Sequence, residues 1–421
     1  MCQETSGTVV LMNILIVLPD KKVGGGQIAA LRIAKALSRG HRVYVIHAVP
    51  ECCDEPSPRI PEGVAPIHFL PGAVEAYLPY TLLRCLRFVD RIFTRGQNDQ
   101  GEGALIDVTR QWYHRLKIKR FARLLHDLQI DVINSHVLAA DIFVSECLEA
   151  KGVSWVVTMH GCYESCLNDP KHYPDFLTLS ERILSRANKI VYLTDKNKAI
   201  FTSLRQHELE KKAHKIFTGI DSCSDEKTPQ DNSLFRDADL VLGLVSRAIP
   251  EKGWREAIAA TIGVREETGK NVQLLLLGDG PYADELRAQY ELPFIHFIGF
   301  SEDVFGWVRK FDVGLLPSWF SGESLPTAVV EYLVCGKPVI ATDVGEIANM
   351  ILANGRLAGL LVPVVQGDGV SDQHLRQAIK SYLLDKNLLA EHSELAKAAA
   401  EKFSMQRCLD SYLRVFQAIR E

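Results

Sequence analysis

The chain predicts an α/β protein of two domains, and three observations carry that reading. Its 421 residues exceed what one hydrophobic core supports, since single cores stop growing near ~250–300 residues. Short apolar runs such as Ile14–Leu18 and Leu240–Ser246 alternate with helical periodicities, as buried parallel strands joined by helices do. Finally, the stretch from Val313 to Ala341 reads as one complete strand, loop, helix and strand.

Composition narrows the class before any motif is considered. A content of 47% hydrophobic and 24% charged residues is that of an ordinary globular protein. Net charge −4 and pI ≈ 6.4 argue against bulk nucleic-acid binding. No run approaches the ~20 apolar residues a membrane span needs. The start, Met1-Cys2-Gln3-Glu4, has no basic region and is not a signal peptide, and residues 1–11 read as an extension ahead of the first strand. The ten cysteines lack zinc spacing: Cys52-Cys53 and Cys162-x3-Cys166 have no matching second pair, so reduced thiols and a cytoplasmic protein are expected.

In the N-terminal half, Ile14–Leu18 is a buried-strand run ended by Pro19. Gly24-Gly25-Gly26 follows, then a helix with Ile28, Leu31, Ala34 and Leu37 on one face. Gly-x-Gly-x-x-Gly spacing is missing, and no acidic residue closes the second strand, Val43–His47, so a dinucleotide fingerprint is not indicated. Further strands are expected at Asp131–His136, Ser154–Thr158, Lys189–Thr194 and Lys215–Asp221. His160 comes directly after one of these; His136 ends another. A polar, turn-rich stretch over 222–237 suits a linker. Residues 78–123 stand apart. Leu82, Leu86, Val89 and Phe93 share one helical face and Arg84, Arg87, Arg91 and Arg95 the other, and residues 81–123 hold ten Lys/Arg against four Asp/Glu. Such a segment fits either an anionic membrane surface or an ordinary helix pair with solvated charges.

In the C-terminal half, Leu240–Ser246, Leu274–Leu277, Ile295–Phe300, Val313–Leu316 and Val339–Ala341 read as strands, and Ser371 to Glu421 as helices. Between Leu316 and Val339 a polar loop leads into a helix with Pro326 in its first turn, where a missing N–H costs nothing. Gly336 and Pro338 stop that helix. Its N-terminus then points out of the sheet's carboxyl edge, where open α/β sheets bind ligands and free N–H groups suit phosphate. Glu323 and Glu331 bracket it, roughly 12 Å apart in helical rise. Paired hydrolytic carboxyls sit ~5–5.5 or ~6.5–9.5 Å apart, so a glycosidase pair is a poor fit. The spacing suits two carboxylates gripping separate parts of one elongated ligand such as a nucleotide sugar. It equally fits a surface helix with two solvated glutamates.

Glu323-x7-Glu331 followed by Cys335-Gly336-Lys337-Pro338-Val339-Ile340-Ala341-Thr342-Asp343 resembles the signature of glycosyltransferase family 4, the group 1 glycosyltransferases of the GT-B fold. Many members carry Gly-Phe-Pro after the first glutamate, where this chain has Ser324-Leu325-Pro326. Ser246-Arg247 through Lys252-Gly253 resembles the family's Gly-Arg-x4-Lys-Gly, with Ser246 for the first glycine. Thr218-Gly219-Ile220-Asp221 resembles its Asn-Gly-Val-Asp, and Thr158-Met159-His160-Gly161 its Thr-x-His-Gly. The likeness is dense over 240–350, thinner over 12–40 and 154–221, and absent over 50–125.

That resemblance implies two Rossmann-like doubly wound domains facing across a cleft. Residues 12–222 would form the acceptor domain, 235–404 the nucleotide-sugar domain, and a last helix from Met405 would cross back. It implies catalytic roles for Glu323, Arg247, Lys252 and His160. Donor binding would fall to Gly24, Gly25, Arg247, Lys252, Gly280, Ser324, Leu325, Pro326, Thr327 and Glu331. A nucleoside diphosphate leaving group gains negative charge as the glycosidic bond breaks, so two cations there stabilise the transition state above the ground state. No metal or cofactor is then required, and Asp237-Ala238-Asp239 precedes its strand on the wrong side to hold one. The implied reaction is retaining transfer from a UDP- or GDP-sugar to a glycan or lipid-linked acceptor, with peripheral contact at the inner membrane face. Two alternatives stay open: a relative using phosphate or water as acceptor, and a silent nucleotide-sugar-binding subunit.

Overall fold

The protein is described here from a computed structural model, which covers residues 11–19, 25–48, 60–67, 102–148, 152–161, 175–220, 235, 237–320, 322–365 and 369–420. Gly24, Asp221, the Cys52-Cys53 and Cys162/Cys166 pairs, residues 78–101 of the basic segment and nearly all of the 222–237 linker lie outside the described residues.

The N-terminal domain is built on strands β1 (Asn13–Leu18), β2 (Arg42–His47), β3 (Val64–Pro66), β4 (Val132–His136), β5 (Ser154–Met159), β6 (Lys189–Tyr192) and β7 (Ala213–Lys215). They form one parallel sheet in the order β3-β2-β1-β4-β5-β6-β7. Helices α1 (Gly25–Leu37), α2 (Glu102–Asp127), α3 (Leu138–Cys147), α4 (Phe176–Arg186) and α5 (Asp195–Lys212) connect them. Both faces of the central strands are covered, which is why β1 reads as an unbroken apolar run: Leu15 and Val17 join one core cluster, Ile14, Ile16 and Leu18 the other.

The C-terminal domain repeats the plan. Strands β8 (Leu240–Val245), β9 (Val272–Leu277), β10 (Ile295–Gly299), β11 (Val313–Leu316), β12 (Val339–Thr342) and β13 (Gly359–Val362) lie parallel in the order β10-β9-β8-β11-β12-β13. Its helices are α6 (Trp254–Thr268), α7 (Pro281–Gln289), α8 (Val304–Val308), α9 (Thr327–Val334), α10 (Ile347–Ile351), α11 (Asp372–Leu384) and α12 (Lys386–Ala400). In each sheet the strand order reverses beside the first strand, between β1 and β4 and between β8 and β11. Ligands of doubly wound sheets bind at such switch points, outside the strands' carboxyl ends. Two-domain, doubly wound architecture is therefore what the sequence predicts and what the chain forms.

A last helix, α13 (Met405–Gln417), returns to the first domain. Cys408, Tyr412, Val415 and Phe416 pack into the cluster that holds Met12, Ile14 and Ile16. Arg420 adds an ion pair to Asp131 at 3.2 Å. The run Lys215–Asp221, expected as a strand, leaves the sheet after Lys215. Its path is set by the crossing: Ile220 forms a parallel bridge with Ser404, through Ile220 N–H to Phe403 O at 2.9 Å and Met405 N–H to Ile220 O at 3.1 Å. Strands β3 and β13 carry no clear signal in the sequence because each is an edge strand, three and four residues long. Among the described residues no helix is long and apolar enough to cross a membrane.

Candidate active site

Both sheets turn their carboxyl edges toward one cavity of about 280 Å³ between the domains. The N-terminal domain supplies Gly25 and Gly26 at the start of α1, His160 just past β5, and Thr218. The C-terminal domain supplies Ser246 and Arg247 past β8, then Lys252, and the run Gly322–Ala328 leading into α9. Of the expected site residues, Gly25, His160, Arg247, Lys252, Glu323, Ser324, Leu325, Pro326 and Thr327 thus meet at one place. Gly280 and Glu331 are not in the lining. Gly280 caps α7, and a Cβ added there would lie 3.1 Å from the Ala248 carbonyl.

Two helix N-termini face each other here. Pro326 occupies the capping position of α9 (φ −64, ψ 118), one residue earlier than expected, and no side chain caps the helix. Its first N–H groups are therefore open. Opposite it, a Cβ on Gly25 would come within 3.9 Å of Thr327 Oγ1, so α1 and α9 nearly touch end to end. Each end carries a partial positive charge suited to an anion.

Arg247 is exposed at the rim and has no carboxylate partner among the described residues. Lys252 behaves differently. It ends a single 3-10 turn (Pro250–Lys252), and its Nζ lies 2.5 Å from Glu323 Oε2, the side chains 10% and 8% exposed. Gly253 permits this placement: at φ 76 its Cβ would sit 2.2 Å from the Pro317 carbonyl. Ser318 Oγ reaches the same Glu323 oxygen at 3.0 Å. The glutamate loop is backed by the turn after β12, where Glu346 N–H donates to Ser324 O at 2.9 Å. Gly345 (φ 61) lies against that backbone, its would-be Cβ 2.5 Å from Ser324 O. Arg247 and Lys252 are therefore not two equivalent free cations: one is open, the other pre-paired with a buried carboxylate.

Glu331 is 6% exposed and meets Arg32 of α1 across the domain boundary at 3.6 Å. Burial pushes its carboxyl up to about 7, with the Arg32 guanidinium pulling the other way. Two more polar contacts cross the boundary: Asn197 Nδ2 donates to Ser324 Oγ at 2.9 Å, and Lys215 pairs with Glu346 at 2.6 Å. His160 stands 2.8 Å from His136, and burial lowers its pKa to about 4. Sequence reasoning gave Arg32, Asn197 and Lys215 no part in the site, and no local signal marks them, because each acts on the other domain. The Asp237/Asp239 pair sits at the amino end of β8, where Asp239 accepts the Asn271 N–H at 2.7 Å. Among the described residues no cluster of three His, Cys, Asp or Glu is arranged to hold a metal ion.

Residues 239–383 match the family described as glycosyl transferases group 1. The matched region runs from β8 to α11 of the C-terminal domain. An uncharacterized glycosyltransferase of Methanocaldococcus jannaschii is 23% identical over 305 residues, 69% of this chain and 76% of that protein. The 2-deoxystreptamine glucosyltransferase of Streptomyces kanamyceticus is 26% identical over 219 residues, 48% of this chain and 55% of its own. Among solved structures, HepE of Anabaena in complex with UDP superposes with TM-score 0.66 at 19% identity, covering 97% of this chain and 100% of HepE. WaaG, a glycosyltransferase involved in lipopolysaccharide biosynthesis, gives 0.58 at 18%, covering 96% and 99%. Those structural likenesses run across both halves, so the matched region sits within a two-domain GT-B fold.

Proposed function

We propose that the chain is a retaining glycosyltransferase that moves a sugar from a nucleoside diphosphate sugar to a glycan or lipid-linked acceptor in cell-surface polysaccharide or glycolipid synthesis. One observation carries this reading: the N-termini of α1 and α9, Arg247 and Lys252 converge on a single interdomain cavity. That is an anion site with room for a sugar beside it. HepE has been solved with UDP, with UDP and glucose, and with UDP-glucose, which supports a UDP-sugar as donor.

In this reading the diphosphate lies between the ends of α1 and α9 with Arg247 against it. Lys252 exchanges part of its contact with Glu323 for a phosphate oxygen, and the freed Glu323 oxygen accepts from a sugar hydroxyl. Glu331 would receive the ribose once Arg32 moves aside. The anomeric carbon–phosphate oxygen bond breaks, the acceptor oxygen bonds the same face of the sugar, and the acceptor's proton passes to the leaving phosphate. Charge developing on that phosphate is what the cations and helix ends stabilise, with no metal ion required.

A panel of nucleotide sugars, screened by thermal shift and then by acceptor-free hydrolysis, tests the assignment. A true donor raises apparent stability by RT ln(1 + [L]/Kd) and is slowly hydrolysed. Arg247→Ala should lower kcat/KM by about 10²-fold, and EDTA should leave activity unchanged. Activity lost in EDTA and restored by Mg²⁺ or Mn²⁺ would overturn the metal-free reading. Binding without hydrolysis or transfer would instead favour a silent subunit.

A further inference from the structure

Behind His160 the first domain buries Asn134, His136 and Thr158, none more than 1% exposed. Their hydrogen bonds can be ordered from one fixed end. Asn134 Nδ2 donates to the Val156 carbonyl at 3.1 Å and to Thr158 Oγ1 at 2.9 Å. A carbonyl only accepts, so the amide cannot be flipped, and Asn134 Oδ1 must face His136 Nε2, 2.9 Å away. His136 Nε2 therefore carries a proton. Burial, with His160 beside it, holds the His136 pKa well below its ordinary value, so the ring is neutral and its Nδ1 is a lone pair. That Nδ1 lies 2.8 Å from His160 Nε2, which must donate to it. His160, neutral and protonated at Nε2, is left with Nδ1 as its one acceptor, and no described residue donates to it.

We propose that His136, held by Asn134, is a positioning residue that fixes His160 as an acceptor at Nδ1, so that the ligand group meeting this ring must be a hydroxyl and not an anionic oxygen. This rests on the glycosyltransferase reading above for what the ligand is, but the proton order does not. A free imidazole exchanges its proton between nitrogens; here the strand side chains remove that freedom, and a sugar hydroxyl finds its partner already oriented. His160 itself is the catalytic-site residue, and His136 acts only through it.

The test joins a spectrum to kinetics. Protein labelled with ¹⁵N-histidine, its His160 signal assigned by loss in His160→Gln, should show the Nε2–H tautomer between pH 6 and 8 without any ligand. His136→Leu removes the acceptor, and His160 should then show both tautomers. His136→Asn offers Oδ1 in place of Nδ1 and should restore the single tautomer. With UDP-glucose, His136→Leu should lower kcat/KM by about tenfold, the scale of one neutral hydrogen bond, and His136→Asn should recover most of that. UDP affinity should stay within about twofold throughout, because the relay touches the sugar side alone. An Nδ1–H tautomer in the wild type would overturn the proposal, as would unchanged kcat/KM in a folded His136→Leu. The wild-type spectrum decides even if that variant does not fold. A wild type that turns over no nucleotide sugar yet shows the Nε2–H tautomer would leave the relay standing and remove the glycosyltransferase reading.

Discussion

Lys252 and Glu323 neutralise one another in a place where water hardly reaches, and this changes what each substitution should do. Breaking a buried pair by removing one partner leaves an uncompensated charge, at about 3–5 kcal/mol. Lys252→Ala and Glu323→Ala should each destabilise the fold on that scale, while the double variant should cost clearly less than their sum. A denaturant-unfolding cycle measures it, and additivity within about 0.5 kcal/mol would mean the pair is not coupled. Glu331 differs in that its charged form is the strained one. Its folded pKa of about 7 stands above the ordinary carboxylate value because of burial, so between pH ~4.5 and 7 the folded state holds a proton that the unfolded state has lost. Stability from this group therefore falls as pH rises through that window and stays low above it. Glu331→Gln, which cannot ionise, should gain roughly 3 kcal/mol over the wild type at pH 8 and almost nothing at pH 4. Equal gains at both pH values would show that folding does not shift this carboxyl's pKa.

At the scale of elements, helix α2 makes the clearest external claim. Trp112, Arg115, Lys119 and Arg123 are exposed at helical spacing along one side, while Phe121 and Leu125 enter the core. Because α2 runs back against β4, its N-terminal end with Trp112 lies toward the sheet's carboxyl edge. If the acceptor is lipid-linked, replacing Arg115, Lys119 and Arg123 by Gln should weaken binding to vesicles containing anionic lipid, most strongly at low salt. Equal recovery of wild type and variant with those vesicles would remove the membrane contact. The same scale shows what the sequence could carry. Central strands such as β1 and β8 are legible because parallel strands covered on both faces are continuously apolar, and α9 is legible because Pro326 and Gly336 punctuate it. Edge strands β3 and β13 are too short to show a period. The pairing of Lys252 with Glu323 spans 71 residues and that of Asn197 with Ser324 spans 127. Such contacts depend on how two strand ends, or two domains, are set against each other, and nothing in either local pattern specifies that. Glu323 and Lys252 could each be selected by motif; that they hold one another could not.

Across the whole molecule, the end of the first domain's described chain at Ile220 is stitched to the returning chain at Ser404, and α13 then completes the hydrophobic layer under β1. Tyr412 reinforces this, its hydroxyl 3.2 Å from Thr158 Oγ1 on β5. Ending the chain at Ser404 would strip cover from Ile14, Ile16 and Val43. The truncated protein should keep the C-terminal domain folded, with hydrogen-exchange protection of β8 to β12 intact, while β1 and β2 lose theirs. Full protection of β1 after truncation would show that the helix is dispensable. The same feature sets an order of events at the ribosome. Multidomain chains commonly fold from the N-terminus as they emerge, at ~5–20 residues per second. Here the first domain lacks a piece of its own interior until residues 405–420 appear, whereas the second is contiguous and can close before them. The domain translated first is thus the one finished last, and during that wait its nascent chain holds an apolar sheet face that α13 later covers.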